Sequence, residues 1–242
     1  MFYKILPIFA ILGFAFFGCK NEPAAAAKAP QIPDNLGGYW VNGIWWQELQ
    51  SSKSPMKAAE KLTGPAAAIF HQDSTKWLAD LSYNWHEGQQ LILRTKEGQL
   101  QIYDPKNAAI QQYFLLPQAD GSMHFDSIPM LRLGDAFTGF NAIAYSMVGG
   151  EYDIGGKPVV FNPNGTIVGL GEYIRYEMLL DYVAEDVRAD QIQLSKEGQT
   201  PDFFAFKIDG DKLQLYEVKD MGGKGEFHYE VGNLKYELTK KS

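Results

Sequence analysis

The chain has 242 residues, a formal charge of −7 at pH 7 and a hydrophobic fraction of 45%. That much apolar material excludes an intrinsically disordered chain over most of the length. The excess of acidic residues argues against nucleic-acid binding, which needs a basic surface.

Residues 1–18 have the pattern of a signal peptide rather than of a folded segment. An apolar run ends at Gly18 and is too short for a typical membrane span, and the only cysteine, Cys19, follows directly. This arrangement resembles the lipobox of bacterial lipoproteins, although Phe16 and Phe17 depart from its usual residues. The resemblance implies cleavage before Cys19 and a membrane anchor of acyl chains on that residue. The alternative is an ordinary secretory signal with a chance cysteine.

The residues after the signal peptide predict a tethered domain at the outer membrane. Lys20 stands at the position where an Asp would resemble an inner-membrane retention signal, which favours an outer-membrane anchor on the periplasmic or cell-surface side. Residues 19–37 are rich in Ala and Pro and predict a flexible tether. Because an acylated Cys19 cannot form a disulfide, the domain at 38–242 must be stable through its core alone.

The first part of the domain predicts short strands and one short helix. Residues 40–46 are aromatic and strand-prone, whereas residues 54–62 predict a helix that Ser54 caps. The strongest alternation follows at 77–85, and Gly-containing turns at residues 87–88 and 97–98 return the chain twice. Strands at a spacing of about ten residues indicate a meander in a barrel or sandwich.

The second part of the domain begins with a glycine-rich region at 129–157. This region predicts a long connection that contains a helix near residues 142–147. Residues 159–168 predict a strand, a turn and a second strand, and the alternation from Tyr173 onward favours a strand over the rival helix. Further strands are predicted at 191–195, 203–208, 213–219 and 227–238, with a turn at Gly232-Asn233 in the last.

The predicted fold class is therefore mainly β. We expect an antiparallel up-and-down barrel of about 8–12 strands, with one short helix and the long glycine-rich connection. The whole of 38–242 is predicted as this one domain.

Several short motifs resemble those of the lipocalin superfamily. Gly38-x-Trp40 resembles the Gly-x-Trp of the first lipocalin strand, and Asp181-Tyr182 resembles a second motif, with Leu180 in place of its Thr. The run at 203–218 is similar to the penultimate hairpin of lipocalin-like lipoproteins. A third signature, an arginine near the end that packs on the tryptophan, has no counterpart after Arg188. The resemblance implies a barrel that binds a small ligand.

Aromatic and apolar residues are the candidate ligand-binding set. Barrels of about eight strands can hold one small ligand in a mostly apolar cavity. The alternative is that the same rings fill the core. The candidates are Trp40, Trp77, Leu81, Tyr83, Trp85, Tyr176, Met178 and Tyr182.

One pattern points to an enzyme. Asp202, followed by Glu217-x-Lys219, matches the spacing of metal-dependent nucleases, in which two carboxylates hold Mg²⁺ and the lysine assists the attacking water. Strands rather than helices flank the pattern, and an acidic exported chain suits a nuclease poorly. The histidines lack the spacing of a zinc site and no nucleophile elbow is present, so we predict no catalytic residue, metal or cofactor.

The sequence thus predicts an outer-membrane-anchored lipoprotein whose barrel binds a small apolar or amphipathic ligand. The alternative is a surface lipoprotein with a solid barrel that contacts an extracellular protein or a glycan. A metal-dependent nuclease is the remote third hypothesis.

Overall fold

The computed structural model describes residues 32–85, 87–107, 112–135, 139–182, 186–187, 189–220 and 228–241. Within these ranges the predicted class is confirmed: the chain is mainly β, with antiparallel barrel-like sheets and few helices. The signal peptide, Cys19 and the tether up to residue 31 lie outside the described residues. Among the described helices, none has both the length and the apolar character needed to cross a bilayer.

The first sheet is a closed barrel of eight strands that follow one another in chain order. Each strand pairs with the next, and the first pairs with the eighth to close the barrel. Tight turns such as Glu97-Gly98, with φ of 51° and 79°, allow this up-and-down path. The strands are β1 (Gly38–Asn42), β2 (Ala67–Asp73), β3 (Lys76–Ser82), β4 (Gly88–Lys96), β5 (Gln99–Tyr103), β6 (Tyr113–Pro117), β7 (Met123–Phe125) and β8 (Ile128–Gly134).

Two helices stand between β1 and β2. The predicted helix near residues 54–62 is present as α2 (Pro55–Ala59), capped by Ser54 as predicted, and α1 (Gly43–Ser52) precedes it. The strand predicted through residue 46 is therefore wrong after Asn42. The Asn42 side chain accepts hydrogen bonds from the amides of Ile44 and Trp45, at 3.0 and 3.2 Å, so it caps α1 and ends the strand.

The glycine-rich region at 129–157 contains more regular structure than its composition indicated. Its first residues belong to β8, and the predicted helix is present as α3 (Gly139–Val148), followed directly by β9 (Gly150–Ile154). Gly155 and Gly156 have φ of 58° and 84° and form the tight turn after β9. The region is thus a strand, a helix and a hairpin, because its glycines end elements and turn the chain.

The remaining strands form a second, nine-stranded sheet with β9. In space the order is β11-β10-β9-β17-β16-β15-β14-β12, and β13 pairs with β17. An isolated bridge between Thr166 and Arg175 brings the two ends of the sheet together, so the sheet curls. These strands are β10 (Lys157–Phe161), β11 (Ile167–Val168), β12 (Tyr173–Met178), β13 (Asp186–Val187), β14 (Gln191–Lys196), β15 (Asp202–Asp209), β16 (Lys212–Asp220) and β17 (His228–Lys240).

Two predictions for the second sheet have different outcomes. The strand from Tyr173 is confirmed as β12, and its rival helix is excluded. The turn predicted at Gly232-Asn233 is wrong, because β17 runs through both residues. The pairing of β16 with β17 instead changes register twice between Leu215 and Val218, so the glycine lies in an irregular part of the ladder.

The buried residues form two clusters. The barrel-interior cluster contains one face of the barrel strands, with Trp40, Phe70 and Phe125 among its largest members. The shared apolar layer joins the outer barrel residues Tyr39 and Val41 to α1, α3 and the inner face of the second sheet. Strand β1 therefore contributes alternate residues to the two clusters, as the period of a strand requires.

Candidate ligand-binding groove

The barrel is filled by its own side chains. Trp40 is fully buried, and its indole nitrogen donates a hydrogen bond to the Leu36 carbonyl at 2.8 Å. Leu81 is also buried there, and Trp77 and Tyr83 pack against the same cluster while partly exposed. An eight-stranded barrel is just wide enough for side chains to fill it. Four of the eight predicted ligand-binding residues thus belong to a packed barrel interior.

Trp85 lies elsewhere, although its spacing placed it on the face of Trp77 and Leu81. Strand β3 ends at Ser82, and Trp85 adopts a left-handed backbone with φ of 66°, which breaks the alternation. Its ring lies 4.9 Å from the ring of Trp45 and packs against the shared apolar layer. The expectation that Trp85 shares a face with the other aromatic residues is therefore wrong.

Two of the last three predicted ligand-binding residues belong to strand β12 of the second sheet, and the third lies in the segment that follows β12. Tyr176 and Met178 are buried in the shared apolar layer, and the Tyr176 hydroxyl donates to the Asn162 carbonyl at 2.8 Å. The Tyr182 hydroxyl donates to the Leu179 carbonyl at 3.1 Å. These residues do not meet the barrel-interior set, so the eight candidates do not form one cavity.

An open groove lies instead at one end of the second sheet, where β12 and β15 begin and β14 and β16 end. Its volume is about 630 Å³, and two other clefts measure about 490 and 210 Å³. None of these three clefts is lined by a residue of the barrel-interior cluster. We call the largest the sheet-end groove; its lining residues are Tyr173, Lys196, Pro201, Asp202, Phe203, Phe204, Glu217, Val218, Lys219, Lys235 and Tyr236.

The register of the strands explains why these residues meet. Tyr173 pairs with Lys196 across β12 and β14, and Leu194 pairs with Asp202 across β14 and β15. Phe204 pairs with Glu217 across β15 and β16. Polar residues of β14, β15 and β16 therefore lie beside the buried apolar residues at the same end of the sheet.

Asp202 is held by two partners at the edge of the groove. The Tyr173 hydroxyl donates to one oxygen of Asp202 at 2.7 Å, and the Lys196 ammonium lies 3.1 Å from that oxygen. The hydrogen bond from Tyr173, and then the charge and hydrogen bond of Lys196, lower the pKa of Asp202. Burial and the Asp202 carboxylate raise the pKa of Tyr173 well above its usual range. Asp202 is thus an ionised acceptor, and Tyr173 stays a neutral donor.

Glu217 is the second carboxylate of the groove. Its oxygen lies 3.3 Å from the Lys235 ammonium, so this carboxylate also has a cationic partner. The structure brings Asp202, Glu217 and Lys219 into one groove, which the nuclease hypothesis requires. Among the described residues, however, no group of three or more His, Cys, Asp or Glu side chains is arranged to hold a metal ion.

The floor of the groove is aromatic. The Phe204 ring packs edge-on against Tyr173 at 5.9 Å between centroids, and the Tyr236 ring lies 6.0 Å from the Phe204 ring. The Lys196 ammonium lies 4.9 Å from the centre of the Tyr173 ring. An apolar floor with charged groups at the rim suits an amphipathic molecule better than a purely apolar one.

Sequence reasoning named the carboxylates and Lys219 of this groove only as a nuclease pattern. It missed Tyr173, Lys196, Lys235 and Tyr236 as members of a binding groove. The alternation at the ends of β12 and β14 predicts the face of the sheet on which each residue lies. The order of the strands in space, which the alternation does not contain, decides which residues are neighbours. No protein-family model, no curated protein and no solved structure matches the chain. An assignment of function therefore rests on this chain's own residues and their geometry.

Proposed function

We propose that the protein is an exported, lipid-anchored binding protein of the outer membrane, which holds a small amphipathic ligand in the sheet-end groove. The observation that carries this proposal is the aromatic floor of Tyr173, Phe204 and Tyr236 beneath a charged rim. A volume of about 630 Å³ falls within the usual range of small-molecule pockets. The filled barrel favours this groove over the barrel interior as the place of binding.

The membrane anchor rests on sequence alone, because Cys19 lies outside the described residues. Metabolic labelling with an alkyne-bearing fatty acid tests it in the bacterial host. Acylation predicts a labelled protein that begins at Cys19 in the outer-membrane fraction, and a Cys19→Ser variant without label. Equal labelling of both proteins would contradict an anchor at Cys19.

The binding function is tested by native mass spectrometry of the full-length protein, released from phosphatidylcholine nanodiscs. We expect a small molecule to remain bound to the native protein and to be lost from a Tyr236→Ser variant, which removes one ring of the groove floor. Tyr103→Ser is the matched control, since Tyr103 lies in the barrel, where the guanidinium carbon of Arg94 stands 3.7 Å from the centre of its ring. An adduct retained by Tyr236→Ser but lost from Tyr103→Ser would place the ligand at the barrel instead.

A protein- or glycan-interaction module is the second candidate function. The filled barrel and two exposed apolar residues of β17 favour it: Val231 is 51% exposed and Leu234 is 48% exposed. Such a module predicts that Val231→Ser and Leu234→Ser reduce partner capture by the lipid-anchored protein on whole cells. The small-ligand proposal predicts that these two variants keep the adduct unchanged.

A further inference from the structure

The sheet-end groove has an excess of positive charge on an acidic protein. Three lysines and two carboxylates line it, whereas the whole chain carries a formal charge of −7. Two of the lysines, Lys196 and Lys235, already face Asp202 and Glu217 at 3.1 and 3.3 Å. The excess charge therefore belongs to the remaining lysine, Lys219.

Lys219 is exposed, and no carboxylate of the described residues lies within ion-pairing distance of it. Its stem lies beside Gly232 of the neighbouring strand: a β-carbon at residue 232 would stand 3.2 Å from Cε of Lys219 and 3.1 Å from the Glu217 carbonyl oxygen. The glycine thus leaves the space in which the Lys219 stem lies against β17. That packing keeps the Lys219 ammonium at the rim of the groove, where no carboxylate within the described ranges pairs with it.

From this we infer that the groove selects an amphiphile with one negative charge, whose head Lys219 binds and whose apolar part lies on Tyr173, Phe204 and Tyr236. This inference rests on the proposed binding function and adds the charge and orientation of the ligand. Once Asp202 and Glu217 are paired with Lys196 and Lys235, the groove supplies one excess positive charge, which matches a monoanion such as a carboxylate better than a dianion. The same carboxylates do not attract a cationic head, because each is already neutralised by a lysine.

The test uses the full-length protein in phosphatidylcholine nanodiscs and a long-chain diazirine fatty acid as a photoreactive probe. The matched fatty alcohol and fatty amine carry the same diazirine and chain. Labelled peptides are identified by mass spectrometry, and half-saturating concentrations are compared. We expect the acid to label peptides that contain Phe204 or Tyr236 at concentrations about 10-fold lower than the alcohol does, because only the ionised acid can form an ion pair with the Lys219 ammonium.

Lys219→Met separates the charge from the groove itself. Its acid labelling should weaken about 10-fold, towards that of the alcohol, while its alcohol labelling should weaken far less, because the alcohol carries no charge. Lys207→Met is the matched control, because Lys207 is an exposed lysine of the same sheet that lies outside the groove, 3.6 Å from Asp209. Both labelling curves of the control should equal those of the unchanged protein.

Each contrary result has a distinct meaning. Equal labelling by acid and alcohol, or stronger labelling by the amine, overturns the anionic head and leaves the proposed binding function standing. Absence of saturable labelling in the groove by all three probes counts against the proposed binding function itself. Loss of acid labelling in nanodiscs of phosphatidylglycerol would mean that the anionic lipid competes for the groove. The bound anion would then be a membrane lipid headgroup, and the assignment of a free anionic ligand would be overturned.

Discussion

The Tyr173 hydroxyl donates its 2.7 Å hydrogen bond to the same Asp202 oxygen that the Lys196 ammonium approaches to 3.1 Å. The three residues come from three adjacent strands, β12, β14 and β15. The contact therefore fixes the shape of the groove rim and also connects the stability of the second sheet to the ionisation of Asp202.

Tyr173→Phe tests this connection. The pKa of Asp202 is lowered in the folded protein, so its stabilising effect is present above the unfolded pKa of about 3.9 and is lost as pH falls through the folded value. At pH 7 the variant should lose about 1 kcal/mol of unfolding free energy, because one hydrogen bond to a charged acceptor is removed. The loss should shrink below the folded pKa of Asp202, measured by urea unfolding across pH.

Tyr216→Phe is the control for this experiment, because the Tyr216 hydroxyl donates to Gln214, which is neutral, at 3.0 Å. Its effect on stability should not change with pH between neutral and acid conditions. A Tyr173→Phe loss that is equally independent of pH would contradict the coupling to Asp202.

The barrel was predictable from sequence because its strands follow one another and alternate clearly. The point at which the barrel ends was not predictable, because all strands up to residue 238 have similar patterns. Only the pairing of β1 with β8 shows that the barrel closes after eight strands. Trp40 and Arg132 are paired directly across these two strands, and the Arg132 side chain donates to the Gly37 carbonyl at 2.9 Å. The barrel ends at Gly134, so Arg132 lies near the end of the barrel and not near the end of the chain.

The candidate groove was less predictable than the barrel for a physical reason. Its floor and rim come from strands that are distant in sequence, such as β12 and β17, and local alternation says nothing about strand order. The nuclease spacing did place Asp202, Glu217 and Lys219 together, because β15 and β16 form a hairpin with a tight turn at Gly210. The partners Lys196 and Lys235 lie on other strands, and no local pattern connected them to the carboxylates.

Leu81→Ala tests whether the barrel interior is structural. Leu81 is 2% exposed among the packed side chains, so its truncation should cost about 2–5 kcal/mol of unfolding free energy. Photoreactive labelling of the sheet-end groove should remain unchanged at temperatures where the variant is folded. Chemical unfolding and the labelling curves measure the two effects.

Leu116→Ala is the comparison for this prediction, because Leu116 lies on β6 with 37% of its surface exposed, and its truncation should change stability by less than about 0.5 kcal/mol. If Leu81→Ala instead removed the bound ligand from a folded protein, the binding cavity would have to lie inside the barrel.

Asp190→Asn probes a second carboxylate with the opposite pH behaviour. Asp190 accepts a 2.8 Å hydrogen bond from the Met56 amide, and burial raises its pKa in spite of its hydrogen bonds. Because its folded pKa is raised, Asp190 stays protonated to a higher pH in the native state than in the unfolded chain. The free energy of unfolding therefore falls as pH rises from about 3.9 through the folded pKa. Asparagine retains an acceptor and cannot ionise, so thermal unfolding of this variant should decline less over that interval. Asp209→Asn, which removes an exposed carboxylate of the second sheet, is the control for the loss of one negative charge.

Titration with Mg²⁺ separates the ligand-binding groove from the nuclease hypothesis. Both candidate metal ligands are occupied: Asp202 by Tyr173 and Lys196, and Glu217 by Lys235. A divalent cation would have to displace these lysines, so we expect isothermal titration calorimetry of the full-length protein to show no saturable Mg²⁺ binding at millimolar concentration. The paired variant Lys196→Met with Lys235→Met frees the carboxylates and should bind Mg²⁺ more tightly than the unchanged protein does. Saturable binding by the unchanged protein that is lost in Glu217→Gln, together with cleavage of DNA, would favour the nuclease.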